Sequence, residues 1–409
     1  MALTDKLTAI GNAIRSKTGD TGLLSLDAMP EAIGGITAGF PNGTEWTQSN
    51  IKSGSIKYLV YANGLWAASV NTKGLYYSID GKEWTQSNIT TTINYLTYSD
   101  GLWLMSTGSK GFYYSTDGKE WIQSNITSDK FTSVVYANGL WVASAYNNGL
   151  YYSSDGKEWT QSNITSNIVN NVKYGNGVWV AYSSSYDNGL YYSTNGKEWN
   201  QSNFTSGMFS SYTSYYNGIW IASHASLSNG FYYSTDGKEW IQSNITSDRF
   251  TSVAYANGLW VASTYDKGVY YSTDGKEWAQ SNITSNRFNS VAYANGLWVA
   301  SVNTNGLYYS IDGKEWTQSN ITAGNYDNCT HANGIWLMAG MNASSSSYGQ
   351  GLYYSTDGKK WTQSNIANAY IRKIIYGDGV WVACGTDYGY VSSYMNKGIY
   401  YSVTWEPSI

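Results

Sequence analysis

Carboxylates are the side chains from which this sequence could most readily build chemistry. Acid–base cleavage, of a glycosidic bond for example, needs two of them in one cleft, placed asymmetrically so that one holds a proton and the other does not. The chain has 28 Asp and Glu among its 409 residues. Seven Asp and eight Glu of these belong to one recurring turn, Asp-Gly-Lys-Glu-Trp and its variants. The turn aspartates are Asp80, Asp117, Asp155, Asp236, Asp274, Asp312 and Asp357. A pair copied through every repeat is a feature of the fold, not a unique catalytic pair. His224 and His331 lack a Ser or Cys partner in a recognisable context, so no nucleophilic triad emerges. Cys329 and Cys384 lie far apart, in repeat slots that elsewhere hold small residues. Two thiols cannot make a zinc site; they read as free thiols, with a disulfide as the alternative. The expectation is a protein that is not an enzyme and uses neither metal nor cofactor.

Charge and hydropathy exclude other classes. The net charge is −4, and the only arginines are Arg15, Arg249, Arg287 and Arg372. That gives no surface to track phosphates, so nucleic acid is not an expected partner. No run of 18 apolar residues exists, so no membrane insertion by a helix is expected. The N-terminus shows neither a charged n-region nor an apolar h-region, so no secretory signal is expected. Aromatics make up 16% of the chain and charged residues 13%. Such a chain is too aromatic for disorder, and its 43 Gly without a G-X-Y period are not collagen. With 40 Tyr, 19 Trp and 3 Pro, the balance predicts an all-β protein with Gly at turns.

The elements that carry these residues are repeats. Ala-Asn-Gly-Leu-Trp or a close variant recurs at Trp66, Trp103, Trp141, Trp179, Trp220, Trp260, Trp298, Trp336 and Trp381. A second segment, Tyr-Tyr-Ser-Thr-Asp-Gly-Lys-Glu-Trp-Thr-Gln-Ser-Asn, places its Trp at 84, 121, 159, 199, 240, 278, 316 and 361, and a partial copy stands in front with Trp46. The nineteenth Trp is Trp405. Nine units of about 40 residues each suggest four-stranded propeller blades. In the third unit, Phe131 to Tyr136 reads as strand A, Leu140 to Ser144 as B, Gly149 to Ser153 as C and Lys157 to Asn163 as D. Asn138-Gly139 and Asp155-Gly156 are tight-turn dipeptides between them. One such sheet cannot bury aromatics on both faces alone, and stacking blades around an axis solves this. Trp141, Trp159, Tyr151 and Tyr152 therefore read as core.

The ends of the array predict how it closes. The last unit has strands A, B and C but no Asp-Gly turn and no D strand; Gly43 to Asn50 is a D strand with nothing before it. Residues 44–50 are expected to complete the ninth blade. Donation of that strand by another chain is the rival arrangement, and a unit left outside the ring is a further one. The predicted organisation is a helical module over 1–38 and one propeller of about nine blades over 39–409. Within the first segment Leu3, Leu7, Ile10 and Ile14 follow helical spacing.

Alternating strand direction puts the A–B and C–D turns on one face and the B–C loops and D–A connections on the other. The copies within the chain treat these faces differently. The A–B and C–D turns are nearly constant, whereas the B–C loops vary in length and are rich in Tyr, Ser, Asn, Asp and Gly, as adaptable paratopes are. Binding is expected on the variable face, with unconstrained drift as the alternative. The candidate contact residues are Tyr186, Asp187 and His224, then Tyr348, Asp387, Tyr388, Tyr390 and Tyr394 on the neighbouring last two units, and Arg249 and Arg287 in one matching D–A slot. Aromatic bodies with hydroxyl and amide tips suit sugar faces and edges.

Two resemblances add to this reading. Ser115-Thr-Asp117-Gly118-Lys-Glu-Trp121 resembles the Asp-box of sialidases and related propellers, Ser-x-Asp-x-Gly-x-x-Trp, with one residue fewer before the Gly. In that family the box is a structural turn away from the active site, and catalysis uses three convergent arginines. Here Arg372 is out of register with Arg249 and Arg287. The Asn-x-Thr sites of the SNIT and SNFT segments match a glycosylation sequon, but their repetition makes them ends of strand D. Leu7-x-x-Ile-x-x-Ala-Ile-Arg-x-Lys-Thr-Gly19 followed by Leu26-Asp-Ala-Met-Pro-Glu-Ala-Ile33 resembles a segment of tail proteins of phages and prophages of Gram-positive bacteria. That resemblance implies a virion tail protein made in the bacterial cytoplasm, bound to other tail proteins through residues 1–38, able to form a homo-oligomer such as a trimer, and recognising a host-surface carbohydrate. A plain helical cap is the alternative for residues 1–38. A structural tail or baseplate protein and a glycan-degrading enzyme are the alternatives for the whole chain.

Overall fold

A computed structural model of the chain describes residues 43–403 apart from short segments, the longest being 183–188, 206–212, 225–229, 342–350 and 386–397. The helical module expected over 1–38 and Trp405 lie outside the described residues. The described strands form nine four-stranded antiparallel sheets. Eight of them use four consecutive strands; the ninth sets Thr47–Gln48 beside Ile399–Val403, followed by Val380–Gly385 and Ile371–Gly377. Thr47 pairs with Tyr401 and Gln48 with Tyr400. At eight of the nine junctions the first strands of neighbouring blades pack on one another, that of blade 9 on that of blade 1 included. Strand A is thus innermost, and the ring closes through the strand at its own N-terminal end. The chain is a nine-bladed propeller.

Local chemistry explains the strands. In blade 3, A spans Phe131–Ala137, B Leu140–Ala145 and C Gly149–Ser153. The A–B dipeptide has Asn138 at φ 51° and Gly139 at φ 72°, the left-handed pair that a type I′ turn requires. Strand D is shorter than expected: only Thr160–Gln161 pairs. Lys157 and Glu158 instead belong to the turn, because their N–H groups point to the Asp155 carboxylate.

The strand-B tryptophans are at most 2% exposed in all nine blades. Each stacks at a tilt on the ring five residues earlier, as Tyr136 does on Trp141 at 4.8 Å. In blade 8 that ring is His331, 4.9 Å from Trp336, so this histidine fills an aromatic slot. The strand-D tryptophans are also buried and seal the wedge between blades. Cys329 and Cys384 are free thiols, and burial pushes the Cys384 thiol up to about 12, keeping it protonated and unreactive at neutral pH.

Side chains also stitch the blades together at the rim. The Asn that follows each strand D donates its Nδ2–H to the main-chain carbonyl of the next blade's strand-D Trp, and its Oδ1 accepts from that Trp's N–H. Asn88 clasps Trp121 this way at 3.0 and 3.1 Å. The same clasp joins Asn50 to Trp84, Asn125 to Trp159, Asn163 to Trp199, Asn203 to Trp240, Asn244 to Trp278, Asn282 to Trp316 and Asn320 to Trp361. Asn365 clasps Trp46, 319 residues away, and completes the circle. The sequon asparagines therefore have their amide nitrogens committed to the fold.

Candidate functional site

The repeated motif is absorbed by structure almost residue for residue. In blade 2 the Ser115 hydroxyl donates to Asp117 Oδ1 at 2.9 Å and accepts the Gly118 N–H at 2.8 Å. Asp117 Oδ1 accepts the N–H of Lys119 at 2.9 Å and of Glu120 at 3.1 Å. Trp121 Nε1 donates back to the Gly118 carbonyl at 3.2 Å. From blade 2 to blade 8 the Lys of each turn reaches across to a Tyr of the preceding blade, as Lys119 does over Tyr77 at 5.8 Å and Lys314 over Tyr271 at 5.3 Å. Gln86 donates to the Lys73 carbonyl and ties strand D to the B–C loop. The repeated aspartates are turn caps.

The Asp117 carboxyl lies below the usual carboxylate range, because the Lys119 N–H hydrogen bond outweighs the effect of burial. In Asp80, Asp155, Asp236, Asp274, Asp312 and Asp357, burial is the largest single influence and pushes upward. The hydrogen bonds from the two following N–H groups and the Ser hydroxyl together exceed it, and the net direction is again downward. A depressed folded-state value contributes stability that is complete above the unfolded value, about 3.9, and is lost as pH falls through the folded value. Melting temperature is expected to stay level from pH 8 to 5 and to fall below about pH 4; a decline between pH 8 and 6 would contradict this. Blade 4 provides an internal control, since Asn195 makes the same two N–H bonds at 2.9 Å. Asp117→Asn, which keeps both N–H bonds but not the charge, is therefore expected to lower stability slightly at pH 7 and to remove the Asp117 share of the acid loss.

Packing assigns the turns to opposite faces. A Cβ on Gly118, in the C–D turn of blade 2, would lie 2.4 Å from Leu65, which directly follows the A–B turn of blade 1. At the other end of the sheet, Leu75 N–H, at the start of strand C, bonds to the carbonyl of Ile89 in the D–A connection. The constant turns thus share one face, and the B–C loops and D–A connections share the other.

On the variable face Arg249 and Arg287 converge around a residue that the sequence did not single out. The Tyr265 ring, in the B–C loop of blade 6, has the Arg249 guanidinium 4.5 Å and the Arg287 guanidinium 4.4 Å from its centroid. Arg287 Nη1 also donates to the Tyr265 hydroxyl at 3.4 Å. Asp248 holds this loop in place: it is 2% exposed, and its Oδ2 accepts the N–H of Lys267 at 3.0 Å. Tyr265 N–H bonds to the Arg249 carbonyl at 3.2 Å. A half-buried aromatic with two guanidiniums packed over its ring gathers two positive charges that suit an oxyanion. Tyr265 was hidden because its loop is short and its partners lie 16 and 22 residues away.

His224 does not fit its expected role. It is 5% exposed and its N–H bonds to the Gly230 carbonyl, so burial removes it from ligand contact. Tyr186, Asp187, Tyr348, Asp387, Tyr388, Tyr390 and Tyr394 lie outside the described residues. No group of three metal-ligating side chains occurs among the described residues.

No known protein family and no curated protein matches this chain in sequence. Solved structures match in fold. The computationally designed protein Ika8 is 7% identical, with a TM-score of 0.52 over 88% of this chain and 100% of that one. YCF48 bound to D1 peptide is 12% identical, with a TM-score of 0.43 over 90% of this chain and 97% of that one. YCF48 from Cyanidioschyzon merolae is 13% identical, with a TM-score of 0.40 over 67% and 95%. At 7% identity the likeness to Ika8 speaks for the fold alone.

Proposed function

We propose that this chain is a phage or prophage tail adhesin that binds a host-surface glycan through the variable face of its propeller, without catalysing a reaction. The observation that carries the reading is the asymmetry between faces. On the constant face the repeated Ser, Asp, Gly, Lys and Trp each have a structural task. On the other face the loops differ from blade to blade, and Arg249 and Arg287 gather over Tyr265, whose loop Asp248 holds in place. The tail assignment rests on the resemblance of residues 7–33, which would attach the propeller to other tail proteins. Adhesion would be multivalent, with weak sites multiplied by several propellers per particle. Binding to cell-wall polysaccharides prepared from a panel of Gram-positive bacteria tests this directly. At least one is expected to bind, and Tyr265→Ala is expected to weaken that binding about tenfold. Binding to none of them, together with capture of purified tail components through the propeller, would favour the structural tail protein. Release of reducing ends from a bound polysaccharide would favour an enzyme.

A further inference from the structure

A second feature of the variable face lies at the seam of the ring. A pocket of about 280 Å³ opens where blades 9, 1 and 2 meet. Arg372 of blade 9 and Lys57 of blade 1 line it, with the amides of Asn71 and Asn94 and an apolar patch from Val70 and Ile93. Among the described residues no carboxylate lines it, in a chain whose net charge is −4. Arg372 and Lys57 are both exposed. Lys57 Nζ lies 5.1 Å from the centroid of the Tyr58 ring. Burial and the neighbouring Tyr95 raise the Tyr58 phenol, while the charge of Arg372 works against them. Lys57 thus sits over this ring, and Arg372 lines the same pocket.

Two adjacent cations in this position are peculiar to the seam. Lys57 and Arg372 occupy one slot, nine residues before the strand-B Trp of their neighbouring blades, where the other seven blades hold Asn, Thr, Ser or, in blade 8, Asp327. In blades 3 and 7 the slot serves the fold. Thr132 Oγ1 donates to the carbonyl of Val169 in the next blade at 3.3 Å, and Asn289 Nδ2 donates to that of Tyr326 at 3.0 Å. In blade 2 the Asn94 Nδ2 is buried and has no acceptor among the described residues. A buried amide donor without a partner is costly, and one bordering a pocket is satisfied by what enters it.

We infer that this pocket binds the oxyanion of an acidic sugar unit, either the carboxylate of a uronic acid or the phosphate of a sugar phosphate. Arg372 and Lys57 meet the charge, the Asn94 amide donates to an oxygen, and Val70 and Ile93 lie against the ring. The volume is at the small end for ligand sites and suits one sugar unit. This chemistry stands whether or not the chain serves a phage tail.

Calorimetric titration of the full chain with glucuronic acid, glucose 1-phosphate and glucose tests the inference. At least one acid is expected to bind with a Kd on the order of millimolar, and neutral glucose at least tenfold more weakly. Which acid binds identifies the source of the oxyanion. Lys57→Gln and Arg372→Gln are each expected to weaken binding about tenfold or more, and added salt to weaken it further. Asn94→Asp, which puts a carboxylate beside the cations, is expected to abolish binding. Arg249→Gln, outside the pocket, is expected to leave it unchanged. Absence of binding by both acids, equal binding of glucose, or wild-type affinity in Lys57→Gln and Arg372→Gln would overturn the inference. Lys57 is an exposed strand residue, so its variant retains the fold, which native tryptophan emission verifies.

Discussion

Trp46→Ala is expected to destabilise the propeller by about 3–5 kcal/mol, the range for emptying a buried aromatic site. Trp46 is 6% exposed and packs in a core with Leu337, Ile374 and Trp381 from blades 8 and 9. Its Nε1 donates to the Gly43 carbonyl at 2.6 Å, and its main chain is clasped by Asn365. The substitution therefore weakens the one joint that does not follow chain order. Truncation to residue 51 takes this further. It removes the outer strand of blade 9, leaves Ile399–Val403 as an open edge, and strips Asn365 of both its bonds. The truncated chain is expected to lose cooperative unfolding or to self-associate. Urea melts followed by tryptophan emission, with size-exclusion elution, read both outcomes. A truncated monomer as stable as the full chain would refute closure by this strand.

The second large effect separates two glycines that look alike in sequence. Gly139 and Gly149 have nearly the same φ, 72° and 73°. A Cβ on Gly139 meets nothing within 4 Å, whereas one on Gly149 would lie 1.8 Å from the carbonyl oxygen of Ile164. Gly139→Ala is expected to cost about 1–2 kcal/mol, the left-handed penalty alone. Gly149→Ala adds displacement of the D–A connection, which hydrogen-bonds to Leu150 at 3.0 Å. It is expected to cost about 2–5 kcal/mol in total. Equal costs in chemical denaturation would show that the close approach is not rigid. Glycine is required before strand C for this contact, which repeats at Gly74, Gly111, Gly189, Gly230, Gly306, Gly351 and Gly398.

Most of the fold was legible because repetition lets a chain be compared with itself. Asn138-Gly139 announces a hairpin from its own φ requirement, and the surplus strand at Trp46 announces the missing one after Ser402. What crosses between blades was not legible. The Lys119–Tyr77 contact spans 42 residues and leaves no local pattern. The sequon-like segments drew attention to Asn-x-Thr, yet the constant pair is Ser-Asn: Asn50 and Asn365 are followed two residues later by Lys52 and Ala367 and still make the clasp. That difference was a readable signal. At the site, the shared slot of Arg249 and Arg287 was visible, but Tyr265 between them was not. His224 looked exposed because it borders a variable loop, and its burial depends on packing that no spacing encodes. Lys57 and Arg372 come together only once the ring has closed.

The division of labour between the two faces is tested most directly by hydrogen-exchange footprinting of the full chain, with and without a polysaccharide that binds it. Protection is expected in the B–C loops and D–A connections, including the peptides around Arg249, Tyr265 and Arg287. The Asn-Gly and Asp-Gly turns of the opposite face are expected to exchange as before. Protection concentrated at those constant turns, with the variable loops unchanged, would contradict the account.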